Sequence, residues 1–190
     1  MMSVARGLVL VASGGRGISG FPDAFTAIGQ GTFFGVQSVI WIMLFIVALS
    51  DYLLRHSRFF RQNYYIGASE RAARLSGIHV EKVKIINYLL SGFLAAVAGI
   101  LFAARLGNAS VTSGIGLELR VISAVIIGGA SLAGGEGTVW GAFLGMLLMT
   151  VITNALNLFG VDVYWQSMVI GATLLAAVII DSLSRKKNRS

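Results

Sequence analysis

Long apolar runs dominate this chain. Val36 to Leu54 carries Asp51 as its only charge, and Ile85 to Ala104, Val139 to Leu158 and Trp165 to Ile180 follow. A helix needs roughly 20 apolar residues to cross a hydrocarbon core of about 30 Å. Runs of this length predict an all-α polytopic membrane protein, a multi-helix transmembrane bundle forming one domain over residues 1–190. A shorter run, Val121 to Gly129, spans only if it starts near Leu117 and takes Glu118 and Arg120 as interfacial residues. Otherwise 118–132 is a re-entrant or broken helix, which membranes tolerate only where it is buried in protein or lines a cavity.

Charge sets the expected topology. Of 15 Lys and Arg residues, seven fall between Arg55 and Lys84 and four between Arg185 and Arg189. Basic segments at the ends of membrane helices face the cytoplasm. Residues 56–84 and 183–190 are therefore expected inside, with an even number of crossings between them. The runs at 85–104, 118–132, 139–158 and 165–181 make four. Residues 13–37 then face outward. This clustering differs from the spread of phosphate- and base-reading residues on a nucleic-acid protein, and no nucleic-acid partner is expected. At the N-terminus, the short run Leu8 to Ala12 ends in Ser-Gly-Gly. It reads as the end of a helix begun upstream rather than as a signal peptide, so the chain is expected to be truncated at its start.

Charged residues make up 12% of the chain, against about 25% in a typical soluble domain. Glycine is abundant at 24 residues, with one proline and no cysteine. Thiolate metal sites, disulfides and a cysteine nucleophile are excluded. Small residues recur every four positions at Ser91, Ala95, Gly99, Ala103 and Gly107, and again at Ala133, Gly137, Gly141 and Gly145. Such stripes let helix backbones approach closely. Ala95, Gly99, Gly137, Gly141 and Gly145 are accordingly expected at helix contacts.

The most informative stretch runs from Tyr64 to Ile78. Ser69 is placed to cap a two-turn helix ending at Ser76, with Glu70 in its first turn, where the helix dipole favours an anion. Arg74 stands four residues from Glu70 and Gly77 terminates the element. Nothing in this element is catalytic; its shape suits being held by another protein.

Residues Gly67-Ala68-Ser69-Glu70-Arg71-Ala72-Ala73-Arg74-Leu75-Ser76-Gly77-Ile78 resemble the "G-x-N-x-x-A-A-x-L-S-G-I" loop of ribose-type ABC transporter permeases, a family shared with branched-chain amino-acid permeases. Ser69 stands where that pattern has Asn, a conservative exchange at a capping position. Ser19-Gly20-Phe21-Pro22 resembles the family's outer "SGFP" loop. Residues 128–137 resemble its "GGTSLAGGKG" signature, and 154–161 its "NNGLNLLGV" segment. The matches are collinear and cover nearly the whole chain.

The resemblance implies the later helices of a vitamin-B12-type importer permease. It implies no catalysis by the chain and no cofactor of its own. ATP would be bound by a separate cytoplasmic subunit gripping a coupling element built from Gly67, Ser69, Glu70, Arg71, Ala72, Ala73, Arg74, Leu75 and Gly77, with Ala72 and Ala73 entering its groove. A second permease subunit, identical or not, an extracytoplasmic sugar-binding protein and the lipid of a bacterial plasma (inner) membrane complete the expected partners.

The sequence agrees in lacking a G-x-x-x-x-G-K-[ST] phosphate loop. Its spans hold no Asp or Glu pair of the kind that marks proton coupling, so a neutral polar solute is expected; together with the resemblance this implies a monosaccharide such as ribose. Asn154 and Asn157, whose amides both donate and accept, are candidates for the solute pathway or for bonds between helices. The alternatives are a permease for another small solute, such as an amino acid, and a fragment of a secondary transporter.

Overall fold

The computed structural model describes residues 2–188. Its helices are α1 (Met2–Ser13), α2 (Asp23–Gln30), α3 (Ser38–His56), α4 (Arg58–Ala68), α5 (Glu70–Leu75), α6 (Val80–Leu106), α7 (Leu117–Ile127), α8 (Val139–Leu158) and α9 (Val163–Asn188). Four two-residue strands accompany them: β1 (Ile18–Ser19), β2 (Thr32–Phe33), β3 (Val36–Gln37) and β4 (Asn108–Ala109). Among the described residues three helices, α3, α6 and α8, are long and apolar enough to cross a membrane. At 1.5 Å per residue they measure about 28, 40 and 30 Å. Large apolar side chains such as Phe45, Phe93 and Val151 stand outward from them. Water would penalise that surface, whereas lipid solvates it, and helices satisfy their own backbone groups there. The chain is an all-α polytopic membrane protein.

Contacts divide the chain into two compact units, Met1–Ile46 with Lys84–Ile115, and Val47–Val83 with Gly116–Ser190. In the first unit, β1 pairs antiparallel with β4, Ile18 opposite Ala109. Gly29, buried on α2, lies so close to α6 that a Cβ would overlap the Arg105 amide, and the Gln30 side chain donates to the Arg105 carbonyl at 3.2 Å. The β2–β3 hairpin turns through Phe34 and Gly35, both at positive φ, and leads directly into α3. Residues 18–38 are thereby tied to the C-terminal end of α6, so the start of α3 and the end of α6 share one side of the membrane.

In the second unit α7 packs on α9 and, in antiparallel register, on α8. A Cβ on Gly145 would overlap the Ala124 carbonyl, and one on Gly141 the Gly128 carbonyl. Between them Ser123, Ala124 and Met149 are almost fully buried.

Two expectations change. Residues 118–132 do not form one crossing helix. α7 ends at Ile127, because Gly129 adopts a left-handed φ of 89° and its amide donates to the Ile126 carbonyl while that of Ala130 donates to Val125. Such a paired terminal motif stops a helix. Its 11 residues reach about 16 Å, half a hydrocarbon core. Further, 56–84 is more than a basic loop with one short helix. Residues 58–66 contain no glycine or proline, and α4 forms there. α9 extends to Asn188, beyond the expected run. Arg189 and Ser190, the end of the basic tail, lie outside the described residues.

Candidate functional site

Ser69 joins α4 to α5 as an elbow. Its extended backbone (φ −161°, ψ 107°) ends α4 with its amide donating to Tyr65, while its hydroxyl accepts from the Ala72 amide at 3.3 Å and starts α5. Arg74 meets Glu70 at 2.9 Å and approaches Glu81 at 3.6 Å. The hydrogen bond and opposite charge of Glu70 raise the Arg74 guanidinium above its usual range, so it is a cation at any physiological pH. At the other end, Gly77 takes a φ of 81°, its amide donating to Arg74 and that of Ile78 to Ala73. α5 is therefore capped at both ends although it has only six residues, too few to persist alone.

Exposure within α5 divides the predicted coupling residues. Arg71, Ala72, Arg74 and Leu75 are exposed, Leu75 at 84%, while Ala73 is 3% exposed. The expectation that Ala72 and Ala73 both enter a partner's groove is corrected for Ala73, because that methyl is already packed inside this chain. Val80 and Val83, at 2% each, are the other buried apolar residues of this segment. An open cleft of about 470 Å³ beside α5 is lined by Arg74, His79, Glu81 and Lys82 among others.

The elbow carries a second element. Residues 131–137 form a tight loop in which the Ser131 amide donates to the Glu136 carbonyl and Gly134 to Ser131. Gly134 and Gly135 are left-handed (φ 89° and 83°) and lie against the end of α4. A Cβ on Gly67 would overlap the Gly135 amide, and one on Gly134 would come within 2.9 Å of the Gly67 Cα. Tyr64 fixes the contact by donating its hydroxyl to the Gly137 carbonyl at 2.7 Å. Gly67, predicted for coupling, thus packs on Gly135, while Gly137, predicted for packing, joins the same α4–loop contact through Tyr64. From there Thr138 caps α8, its hydroxyl accepting from the Gly141 amide.

The remaining predicted residues lie elsewhere. Gly141 and Gly145 face α7, whereas Gly99 on α6 has open space where a Cβ would stand, and Ala95 is exposed. Asn157 Oδ1 accepts from Gln166 Nε2 at 2.7 Å, tying α8 to α9, and Gln166 is 6% exposed. Asn154 is exposed. Among the described residues no group of His, Cys, Asp and Glu could hold a metal ion.

Residues 1–178 match the model of a family described as branched-chain amino acid transport system / permease component. The chain is 43% identical over 186 residues to the ribose import permease protein of Escherichia coli, covering 96% of this chain and 58% of that protein. It is 38% identical over 189 residues to the L-arabinose transport system permease protein of the same species, covering all of this chain and 58% of the relative. The autoinducer 2 import system permease protein of Klebsiella pneumoniae is 36% identical over 185 residues, or 97% and 54% of the two chains. The chain thus spans just over half the length of these relatives. No solved structure matches it.

Proposed function

We infer the function from one premise: the chain belongs to the branched-chain amino acid transport system / permease component family. It serves, on this reading, in the membrane-spanning subunit of an ABC importer that moves a monosaccharide inward across the bacterial inner membrane. The observation carrying it is α5. A six-residue helix capped at both ends, presenting Arg71 and Leu75 between two long apolar helices, is built to be gripped from outside the membrane.

The partners follow from the chemistry the chain lacks. With no phosphate loop, it draws energy from a cytoplasmic ATP-binding subunit seated on α5. A second permease subunit and an extracytoplasmic sugar-binding protein complete the complex. The C-terminus and residues 56–84 face the cytoplasm under the positive-inside rule. Coupling needs an element that makes different contacts in two states. The elbow supplies it: a shift of α5 moves α4, and the loop pinned by Tyr64 carries that shift to α7 and α8. Ribose is the leading substrate, because the relatives named above include a ribose import permease at 43% identity, above an L-arabinose transport permease at 38% and an autoinducer 2 import permease at 36%.

The test is uptake of labelled ribose and L-arabinose by cells expressing the complete gene product, with and without its ATP-binding subunit. Uptake that needs that subunit is expected. Uptake that persists without it and collapses with the proton gradient would instead make the protein a secondary transporter.

A further inference from the structure

We infer that Arg120 sits near the middle of the membrane and donates hydrogen bonds to the hydroxyl oxygens of the transported sugar. The inference rests on the permease reading for the identity of the solute, but its geometry comes from α7 and α8 alone. Two glycine contacts fix their antiparallel register: Gly128 against Gly141, and Ala124 against Gly145. Stepping one further turn sets Arg120 level with Met149, which is 1% exposed. Met149 lies ten residues into α8, about 15 Å from its start and half-way along a helix of spanning length. Glu118 and Arg120 are therefore not interfacial, as they would have been had 118–132 spanned. They occupy the first turns of a helix that begins at mid-depth.

A charge there is costly and marks a functional position by default. Arg120 is half-buried, and its Nε is buried with no hydrogen-bond partner. Glu118, two residues away, points off in another direction around the helix. Among the described residues no ion pair engages either group. A buried guanidinium N–H without an acceptor is expensive, and a solute rich in hydroxyl oxygens relieves that cost as it passes. The Arg120 N–H groups donate to neutral hydroxyl oxygens as readily as they would to an anion's.

Because residues 1–190 contain no cysteine, Arg120→Cys is the single reporter within them once any cysteine elsewhere in the inserted protein is replaced by serine. A small hydrophilic methanethiosulfonate should label it, and ribose or L-arabinose at millimolar concentration should slow labelling several-fold. Val151→Cys on the outward face of α8 should stay unlabelled. Absence of labelling at position 120, or labelling slowed by a carboxylate solute and by neither sugar, overturns the assignment. In the assembled complex, Arg120→Met should lower uptake about tenfold or more while ATPase activity stimulated by the binding protein stays within about twofold, with Arg120→Lys intermediate. Unchanged uptake in Arg120→Met overturns it too. Failure of the unsubstituted complex to import either sugar would count against the permease reading instead, and the labelling result would still decide whether position 120 lines a water-filled path.

Discussion

Tyr64 donates its hydroxyl to the Gly137 carbonyl at 2.7 Å across 73 residues of sequence. The bond joins the end of α4, one elbow from α5, to the loop that leads into α8. It also fixes sidedness, since residues 131–137 and 64–68 must lie on the same face of the membrane. α7 therefore runs toward the face that bears α5, and α8 leaves from it.

Tyr64→Phe keeps the ring and removes the bond. A part-buried carbonyl left without its donor costs about 1 kcal/mol. The purified protein should melt about 2–4 °C lower. Uptake should fall further than stability explains, because the loop would no longer follow α4. Uptake at the unsubstituted level, with the expected loss in melting temperature, would make the bond purely structural.

Gly145→Leu and Gly141→Leu should abolish a monodisperse peak in detergent size-exclusion. Each side chain would have to occupy the place of a carbonyl on α7, and neither helix can yield without separating the pair. Gly99→Ala should leave the peak unchanged, because a methyl there meets open space. A normal peak for Gly145→Leu would mean that α7 and α8 do not pack in this register.

Docking of an ATP-binding subunit is best tested at Leu75, not Ala73. Ala73→Trp would break the chain's own packing, so its failure would not report on a partner. Leu75→Glu puts a charge on a side chain that is 84% exposed and should leave insertion intact. Co-purification of the ATP-binding subunit should fall at least about tenfold, in line with loss of a central apolar anchor. Undiminished co-purification would move the docking surface off α5.

Single cysteines at Ser76, Leu132 and Ser113 test the topology on intact cells with an impermeant thiol reagent. Ser113 should label, and Ser76 and Leu132 should be protected together until the membrane is permeabilised. Labelling of Leu132 without Ser76 would contradict the Tyr64–Gly137 contact, and labelling of both without Ser113 would invert the protein.

Much of this was legible from residue order. Apolar runs of spanning length located α3, α6 and α8, since helix length is set by bilayer thickness. Ser69, Glu70 and Gly77 announced the ends of α5, because capping is a matter of which side chains and which φ values a few neighbouring residues permit. α4 was overlooked because its polar face masked it among basic residues, although an interval free of glycine and proline was the available signal.

What the sequence by itself determined was therefore local: which segments are helical, which of them belong in lipid, where α5 starts and stops, and by resemblance the family. Tertiary structure decided which small residues touch and which side chains are enclosed. The stripes at Ala95–Gly99 and Gly141–Gly145 look alike as spacing, yet only the second meets a neighbour within this chain. Ala72 and Ala73 are adjacent and chemically identical, yet one is exposed and the other enclosed. Arg120 would be interfacial only if 118–132 spanned, yet α7 stops at Ile127 and the Arg120 Nε is buried without a hydrogen-bond partner. Burial and depth depend on what packs opposite a residue, and that is decided by contacts between segments far apart in the chain, such as Tyr64 with Gly137.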